Sequence, residues 1–219
     1  EIHERLVGSE MCIRDRFMDK EYLVGLLMNM TSKYKVNIDA EMLGKIVNMS
    51  AFRIVEKGAV IQHIGDKTLN AALVLDGMTR CYYIDDDGND ITRGFSIEGT
   101  LCMDEGMFGY PESLCEWETL EETTLMIFNT EDMKKFIFEN DILKNVYIYL
   151  LENALRYKIY RENGFLVENA TERYVHFKKL YPQICSKATQ RHIATYLGIA
   201  PESLSRIRKA MKENISETE

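Results

Sequence analysis

The sequence predicts an α+β chain with a larger N-terminal domain and a small C-terminal one. Three observations predict it. Short β-rich runs punctuated by glycine fill Phe52 to Phe128, a long helical stretch starts at Asp141 with two apolar stripes, and Thr189 to Lys212 is patterned as a helix-turn-helix. A length of 219 residues is long for one compact domain and comfortable for two. Hydrophobic residues make up 46% and charged residues 28%, enough to bury a real core. No apolar run approaches the ~20 residues that span a bilayer, and no secretory signal is visible. The five cysteines, at 12, 81, 102, 115 and 185, are odd in number and lack paired spacing. They point away from a disulfide framework and toward a reducing cytoplasm.

Residues Glu1 to Arg16 hold charges without helical or strand periodicity, and Met18 reads as a native start. This leader, 1–16, is expected to be non-native or disordered and is set aside. From Lys20 to Met49 the apolar spacing is helical: Leu23, Leu26, Leu27, Met30, then Ile38, Met42, Ile46. The pattern then shortens to runs at Phe52–Val55, Ala59–Gly65, Ala71–Gly77, Met78–Ile84, Ile91–Ile97 and Thr123–Phe128, as expected of an all-β sandwich or barrel. Asp85-Asp-Asp-Gly88-Asn-Asp between two alternating runs reads as a hairpin turn.

Helical periodicity returns after Thr130. A helix over Asp141 to about Val167 would be roughly 40 Å long at 1.5 Å per residue. One of its stripes is Leu143, Tyr147, Leu150, Ala154 and Tyr157, the other Ile148, Leu151, Leu155 and Ile159. A helix lying on a single core needs one stripe; the second wants a partner helix, as in a coiled coil. Asn169 with Glu172 resembles a capping box opening a helix from Ala170 to Tyr181, which Pro182 stops.

The net charge of −8 is unevenly spread. Between Ala170 and Lys212 stand nine basic residues against two acidic ones, a local +7 that leaves −15 on the remainder. Such asymmetry marks a basic binding module on an acidic body. Within it, Thr189 can cap a short helix whose inner face is Ile193, Ala194 and Leu197, and Gly198 stands where a left-handed residue ends a helix. Pro201 suits the first position of the next helix, which buries Leu204 and Ile207. That helix would expose Glu202, Ser203, Ser205, Arg206, Arg208 and Lys209. Ala200 is a weak N-cap, costing about 1 kcal/mol. This is a helix-turn-helix with a second helix suited to the DNA major groove.

With these residues in view, the chain resembles the cyclic-AMP receptor protein/fumarate-nitrate regulator (Crp/Fnr) superfamily over nearly its whole native length. The matching order is glycines at 58, 65, 77, 88 and 99, then the long helix, then the helix-turn-helix. Tyr181-Pro182-Gln-Ile, Ile193-Ala-Thr-Tyr-Leu-Gly-Ile and Pro201-Glu-Ser-Leu-Ser-Arg-Ile-Arg-Lys look like its Bacteroidetes branch. The resemblance implies an N-terminal double-stranded β-helix, the cyclic-nucleotide-binding-like β-roll, serving as a sensor with flanking helices over 17–140. A dimerisation helix would follow at 141–168, then a winged-helix-like domain at 169–219 with its wing reduced or absent. It implies Glu202 and Arg206 as base readers, in keeping with guanidinium bonding guanine and carboxylate accepting from cytosine. Thr189, Arg191, Ser203, Ser205, Arg208 and Lys209 would position the helix on phosphates. Pro201 stands where some relatives carry a basic residue.

The resemblance also places a sensor pocket at Met103, Asp104, Leu114 and Cys115. Met103 replaces the family's glycine and Leu114 its phosphate-binding arginine, with Glu112, Glu116, Glu118, Glu121 and Glu122 nearby. Those changes make a cyclic nucleotide doubtful as ligand. No iron–sulfur cluster is expected, since the N-terminal cysteine cluster of those members is absent. Cys81, Cys102 and Cys115 read as buried small hydrophobes, His63 as a hydrogen-bonded strand residue, and no metal site is expected. No catalytic Ser-His-Asp or Cys-His set appears, and Gly94 to Gly106 lacks the lysine of a P-loop; the chain is not expected to be an enzyme. The expected function is a cytoplasmic, homodimeric transcriptional regulator that binds a near-palindromic DNA site and senses an unidentified small molecule. RNA polymerase is a candidate further partner, and no membrane is involved. The alternative is a regulatory module of the same sensor fold acting through protein–protein contacts.

Overall fold

A computed structural model describes residues 20–32 and 38–216; the leader 1–16 and Met18 lie outside the described residues. The chain divides into two compact units. One comprises residues up to Cys81 together with Phe95–Glu152; the other comprises Tyr82–Gly94 and the chain from Asn153 onward.

The first unit opens with helices α1 (Lys20–Ser32) and α2 (Ala40–Asn48). Asp39 starts α2 by accepting a hydrogen bond from Met42 N at 2.7 Å, which satisfies one of the orphan donors of its first turn. Strands β1 (Ser50–Val55), β2 (Val60–Gln62), β3 (Asn70–Asp76), β4 (Met78–Ile84), β5 (Asp90–Ile97), β6 (Leu101–Cys102), β7 (Glu116–Thr119) and β8 (Thr123–Asn129) follow. They form two four-stranded sheets, ordered β1-β8-β3-β6 and β2-β7-β4-β5, in keeping with the sandwich or barrel expected from the glycine-spaced runs and with the β-roll that the resemblance implies. Pairing of β8 with β1 and with β3 is antiparallel, with Leu125 opposite both Arg53 and Val74.

Two strands were not expected. The β6 segment is only two residues long, and β7 (Glu-Trp-Glu-Thr) reads by composition as solvated acidic loop. Its acids are instead paired. Glu116, buried, accepts from His63 Nδ1 at 2.9 Å and from Ile64 N at 3.1 Å, and Glu118 accepts from the buried Arg80 Nε at 2.7 Å. Burial of a charge is tolerable when it is paired and hydrogen-bonded, and that is how an acid-rich segment enters a sheet.

Two apolar clusters hold this unit. One joins Leu23, Leu27, Leu43 and Val47 of α1 and α2 to Leu75, Met126 and Phe128 of the β1/β8/β3 sheet. It also takes in Met133 of α3 (Thr130–Phe138) and Leu143 and Val146 of the long helix α4 (Asp141–Val167). The other fills the roll with Val55, Ala72, Val74, Cys81, Cys102, Met103, Cys115, Trp117 and Leu125. Gly77, at φ +90°, turns the chain from β3 into β4; a Cβ there would stand 2.6 Å from Glu122 O and 2.8 Å from Thr123 Cα.

The 27-residue α4 has the bounds its periodicity predicts. Of the first stripe, Leu143 is buried, Tyr147 and Leu150 are half-buried, and Ala154 is exposed. Tyr147 Oη donates to Met107 O at 3.0 Å. Among the described residues the second stripe is left uncovered: Ile148, Leu151, Leu155 and Ile159 are 53%, 36%, 61% and 57% exposed.

In the second unit, α5 (Ala170–Leu180) begins with the expected capping box, Asn169 accepting from Glu172 N and Glu172 accepting from Asn169 N. A short α6 (Ile184–Lys187), then α7 (Gln190–Leu197) and α8 (Pro201–Ser216) follow. Phe177, Ile184, Ile193, Ala194, Leu197 and Leu204 are fully or almost fully buried. The unexpected member of this core is Tyr196, whose ring lies 5.1 Å from Phe177 and 6.1 Å from Tyr181. Its hydroxyl is 2.7 Å from that of Tyr157 on α4; burial pushes its pKa up.

Two arginines close the C-terminal end of α7. Arg161 donates to Tyr196 O at 3.1 Å with its guanidinium 4.2 Å from that tyrosine's ring centroid, and Arg173 donates to Leu197 O at 3.1 Å and to Glu168 O at 2.7 Å. Cations at orphan carbonyls satisfy them and complement the helix dipole. Part of the basic charge counted in the sequence is therefore spent inside the domain.

Two substitution pairs test these assignments. Gly58→Ala, at φ +82° with nothing within 4 Å of the added Cβ, should cost about 1–2 kcal/mol of backbone strain. Gly77→Ala adds a backbone clash and should cost clearly more; equal losses in denaturation followed by Trp117 fluorescence would refute the close approach. Arg173→Met should cost about 1–3 kcal/mol in thermal unfolding, whereas Arg206→Met, exposed on α8, should stay within about 0.5 kcal/mol.

Candidate nucleic-acid interface

The helix-turn-helix is built by local signals. Thr189 Oγ1 accepts from His192 N at 3.2 Å and starts α7. Gly198, in the left-handed conformation at φ 66°, ends it while its N–H bonds back to Thr195 O. Substitution of Gly198 is blocked twice, since a Cβ would also approach Phe165 Cε1 to 2.8 Å. Ile199 N donates to Ala194 O at 3.0 Å, locking the turn. Pro201 begins α8. Ala200 offers no capping side chain, but its carbonyl accepts from Ser203 N and Leu204 N, and Gln190 Nε2 donates to Pro201 O at 2.8 Å. A side chain from the first helix thus steadies the start of the second.

Leu204, fully buried, anchors α8. The opposite side carries Glu202, Ser205, Arg206 and Lys209, all exposed. Arg206 Nε reaches only to Glu202 O at 3.5 Å, and Lys209 Nζ lies 3.8 Å from Glu213, so both cations extend from the surface on weak local contacts. Ser203 and Ile207 are half-buried. So is Arg208, which donates from Nε to Tyr174 Oη at 3.0 Å with its guanidinium 5.5 Å from that ring centroid. The row of six polar residues expected to be exposed therefore divides into four exposed and two partly engaged in the domain.

On α7, Thr189 is exposed and Arg191 Nη2 forms an ion pair with Asp90 Oδ1 at 2.9 Å. Beside it Thr195 Oγ1 meets Thr92 Oγ1 at 2.9 Å, and Arg161 Nη1 donates to Arg93 O. The β4–β5 hairpin, whose turn Asp85 tightens by accepting from Asp87 N and Asn89 N, thus clasps α7 through residues of β5. Asp90, Thr92 and Arg161 carry no local motif, and the sequence gives no sign of this clasp.

Of the four residues expected to line a sensor pocket, Met103 and Cys115 belong to the same buried cluster inside the roll. Met103 is buried inside the roll, Asp104 is half-buried, Leu114 is exposed, and Cys115 is buried. Met103 is the one non-glycine residue at positive φ among the described residues, at φ 52°, so methionine holds a backbone conformation that glycine adopts without strain. Met103 also helps line a cavity of about 540 Å³, open mouth included, with Arg53, Ile61, Gln62, Lys67 and Leu125. Gln62 is 7% exposed, and its Nε2 has no hydrogen-bond partner.

No family model matches the sequence, and no curated protein matches it closely. Solved structures do. FixK2 from Bradyrhizobium japonicum superposes with a TM-score of 0.66 at 17% identity, covering 75% of this chain and 85% of that one. The c-di-GMP responsive global regulator CLP of Xanthomonas campestris gives 0.64 at 15%, covering 80% and 93%. The Catabolite Activator Protein of Thermus thermophilus gives 0.52 at 19%, covering 81% and 85%. Among the described residues, no helix is long and apolar enough to cross a membrane. At these identities the likeness is one of architecture, and the chain has the β-roll, long-helix and helix-turn-helix fold of the Crp/Fnr regulators.

Proposed function

We propose that this chain is a cytoplasmic, homodimeric transcriptional regulator that reads double-stranded DNA with α8. In this reading residues 17–140 form the sensor, 141–168 the dimer helix and 169–219 the DNA-binding domain. The observation that carries it is the exposed row Glu202, Ser205, Arg206 and Lys209 on a helix whose other side is fixed by Leu204. Arg206 and Glu202 are the base readers. Thr189, Ser203, Ser205 and Lys209 contact phosphates, and Arg191 does so once it leaves Asp90. Arg208 positions α8 through Tyr174. The similar folds include a global regulator and a catabolite activator, which supports the same class.

The uncovered stripe Ile148, Leu155 and Ile159 on α4 is the dimer seam. Pairing of two such helices would set two reading helices about one DNA turn apart, ~34 Å, on a near-palindromic site. A sensed ligand acts only by favouring one dimer arrangement over another. The cavity beside Met103 is where such a ligand would sit, presenting an acceptor to Gln62 Nε2.

Arg206→Ala should cost about 1–3 kcal/mol at one base pair and relax specificity there. Lys209→Ala should weaken binding evenly across sequences and lower the salt slope by about 1. Genome-wide capture of bound DNA supplies the operator for both measurements. Duplex binding that ignores sequence and Arg206 would sink the reading, as would capture of a partner protein in place of DNA. For the seam, the wild-type chain should sediment as a dimer at micromolar concentration and Leu155→Glu with Ile159→Glu as a monomer. A monomeric wild type would overturn the dimer.

A further inference from the structure

Inside the β-roll, three chain segments bring two thiols and a carboxylate to one point. Cys81 comes from β4, Glu105 opens the 3₁₀ turn Glu105–Phe108, and Cys115 immediately precedes β7. Cys81 Sγ lies 3.1 Å from Cys115 Sγ, which in turn lies 2.7 Å from Glu105 Oε1. All three donor atoms fall within 4.8 Å of one another. Trp117 Nε1 donates to the same carboxylate at 3.2 and 3.3 Å. Exposure is 1% for Cys81, 0% for Cys115 and 2% for Glu105.

We propose that Cys81, Glu105 and Cys115 form a binding site for a thiophilic divalent cation of the zinc type. This inference stands apart from the DNA-binding reading. Two soft sulfurs and one carboxylate are a donor set that zinc accepts, at about 2.3 Å to sulfur and 2.0–2.2 Å to oxygen. The carboxylate can bind through one oxygen or both, giving three or four donors. On a tetrahedral ion two sulfurs stand about 3.7 Å apart, from those bond lengths, so the pair opens by roughly half an ångström to admit it. Trp117 then plays the orienting part that metal-bound carboxylates usually find in an outer hydrogen-bond donor.

Two simpler accounts explain less. Buried cysteines often behave as small hydrophobes, but an apolar core has no use for a carboxylate 2.7 Å from sulfur with an indole N–H turned onto it. A disulfide between Cys81 and Cys115 would use two of the three groups. A coordinated thiol gives up its proton to the ion's field, so both sulfurs would bind as thiolates.

The placement is built, not incidental. Ser113 Oγ donates to Cys115 O at 2.8 Å, and Tyr110 N donates to Glu105 O at 3.2 Å. Gly106 packs so closely that a Cβ would meet Thr68 O at 2.2 Å, which holds the 3₁₀ turn against the neighbouring chain. An ion here would tie β4, this turn and β7 together.

The test uses the full chain, reduced and metal-free, with Cys12→Ser and Cys185→Ser to remove two further thiols. Titration with Co²⁺ should give one equivalent per chain, an intense near-ultraviolet thiolate-to-cobalt band, and quenching of Trp117, the sole tryptophan. Zn²⁺ should displace the cobalt and raise the thermal midpoint. Cys115→Ser should abolish the band, and the near-isosteric Glu105→Gln should weaken binding by at least about tenfold. Trp117→Phe should weaken it on the order of 10- to 100-fold, read from the cobalt band. Should Cys115→Ser fail to fold, the wild-type band and the Glu105→Gln affinity decide. No thiolate band in the wild type, an affinity unchanged by Glu105→Gln, or loss of two thiols to a disulfide in place of metal binding would each overturn the site.

Discussion

The long helix α4 carries more apolar surface than one chain can cover, and the organisation of this protein depends on that excess. Its N-terminal turns are satisfied by the first unit, where Leu143 and Val146 join the α1/α2 cluster. Farther on, Tyr157 and Arg161 belong to the second unit and hold Tyr196 of α7. One continuous helix thus contributes to both cores. Its remaining stripe, Ile148, Leu155 and Ile159, faces solvent at a hydrophobic cost that a second copy would remove. In the proposed reading, this uncovered apolar area is what a second copy of the helix would bury.

Charge follows a similar division of labour. The basic C-terminal segment reads in composition as one positive patch, but its arginines have four different occupations. Arg173 closes α7 from inside, Arg208 leans on Tyr174, and Arg191 is paired with Asp90, while Arg206 extends from the surface on a single long backbone contact. Only the last kind is immediately available to a phosphate or a base edge. Within the second unit, Asp90 and Thr92 of the hairpin meet Arg191 and Thr195 of α7.

The extent to which the site could be read in advance tracks the sequence distance of the contacts that make it. Thr189, Gly198 and Pro201 act on neighbours within four residues, so α7, the turn and α8 are visible in the chain. The acidic strand β7 is not, because the partners that make Glu116 and Glu118 tolerable, His63 and Arg80, lie 53 and 38 residues away. Tyr196 is invisible for the same reason: a tyrosine on the expected outer side of α7 becomes core only when α4 and α5 supply Tyr157, Phe177 and Arg161. The cluster of Cys81, Glu105 and Cys115 has no ligand spacing at all, and its residues meet only because the roll folds three segments onto one point.

By itself, then, the sequence determined the order of elements, the all-β character of the first domain, the two stripes of α4 and the register of the helix-turn-helix. Each of these is a matter of periodicity or of a cap acting over one turn. The tertiary structure alone decided which arginines are structural and which are exposed, that Met103 sits in a left-handed backbone beside a cavity, and that two cysteines and a carboxylate meet at one point. Those are outcomes of long-range packing, where a side chain's role is set by what burial brings against it and not by its neighbours along the chain.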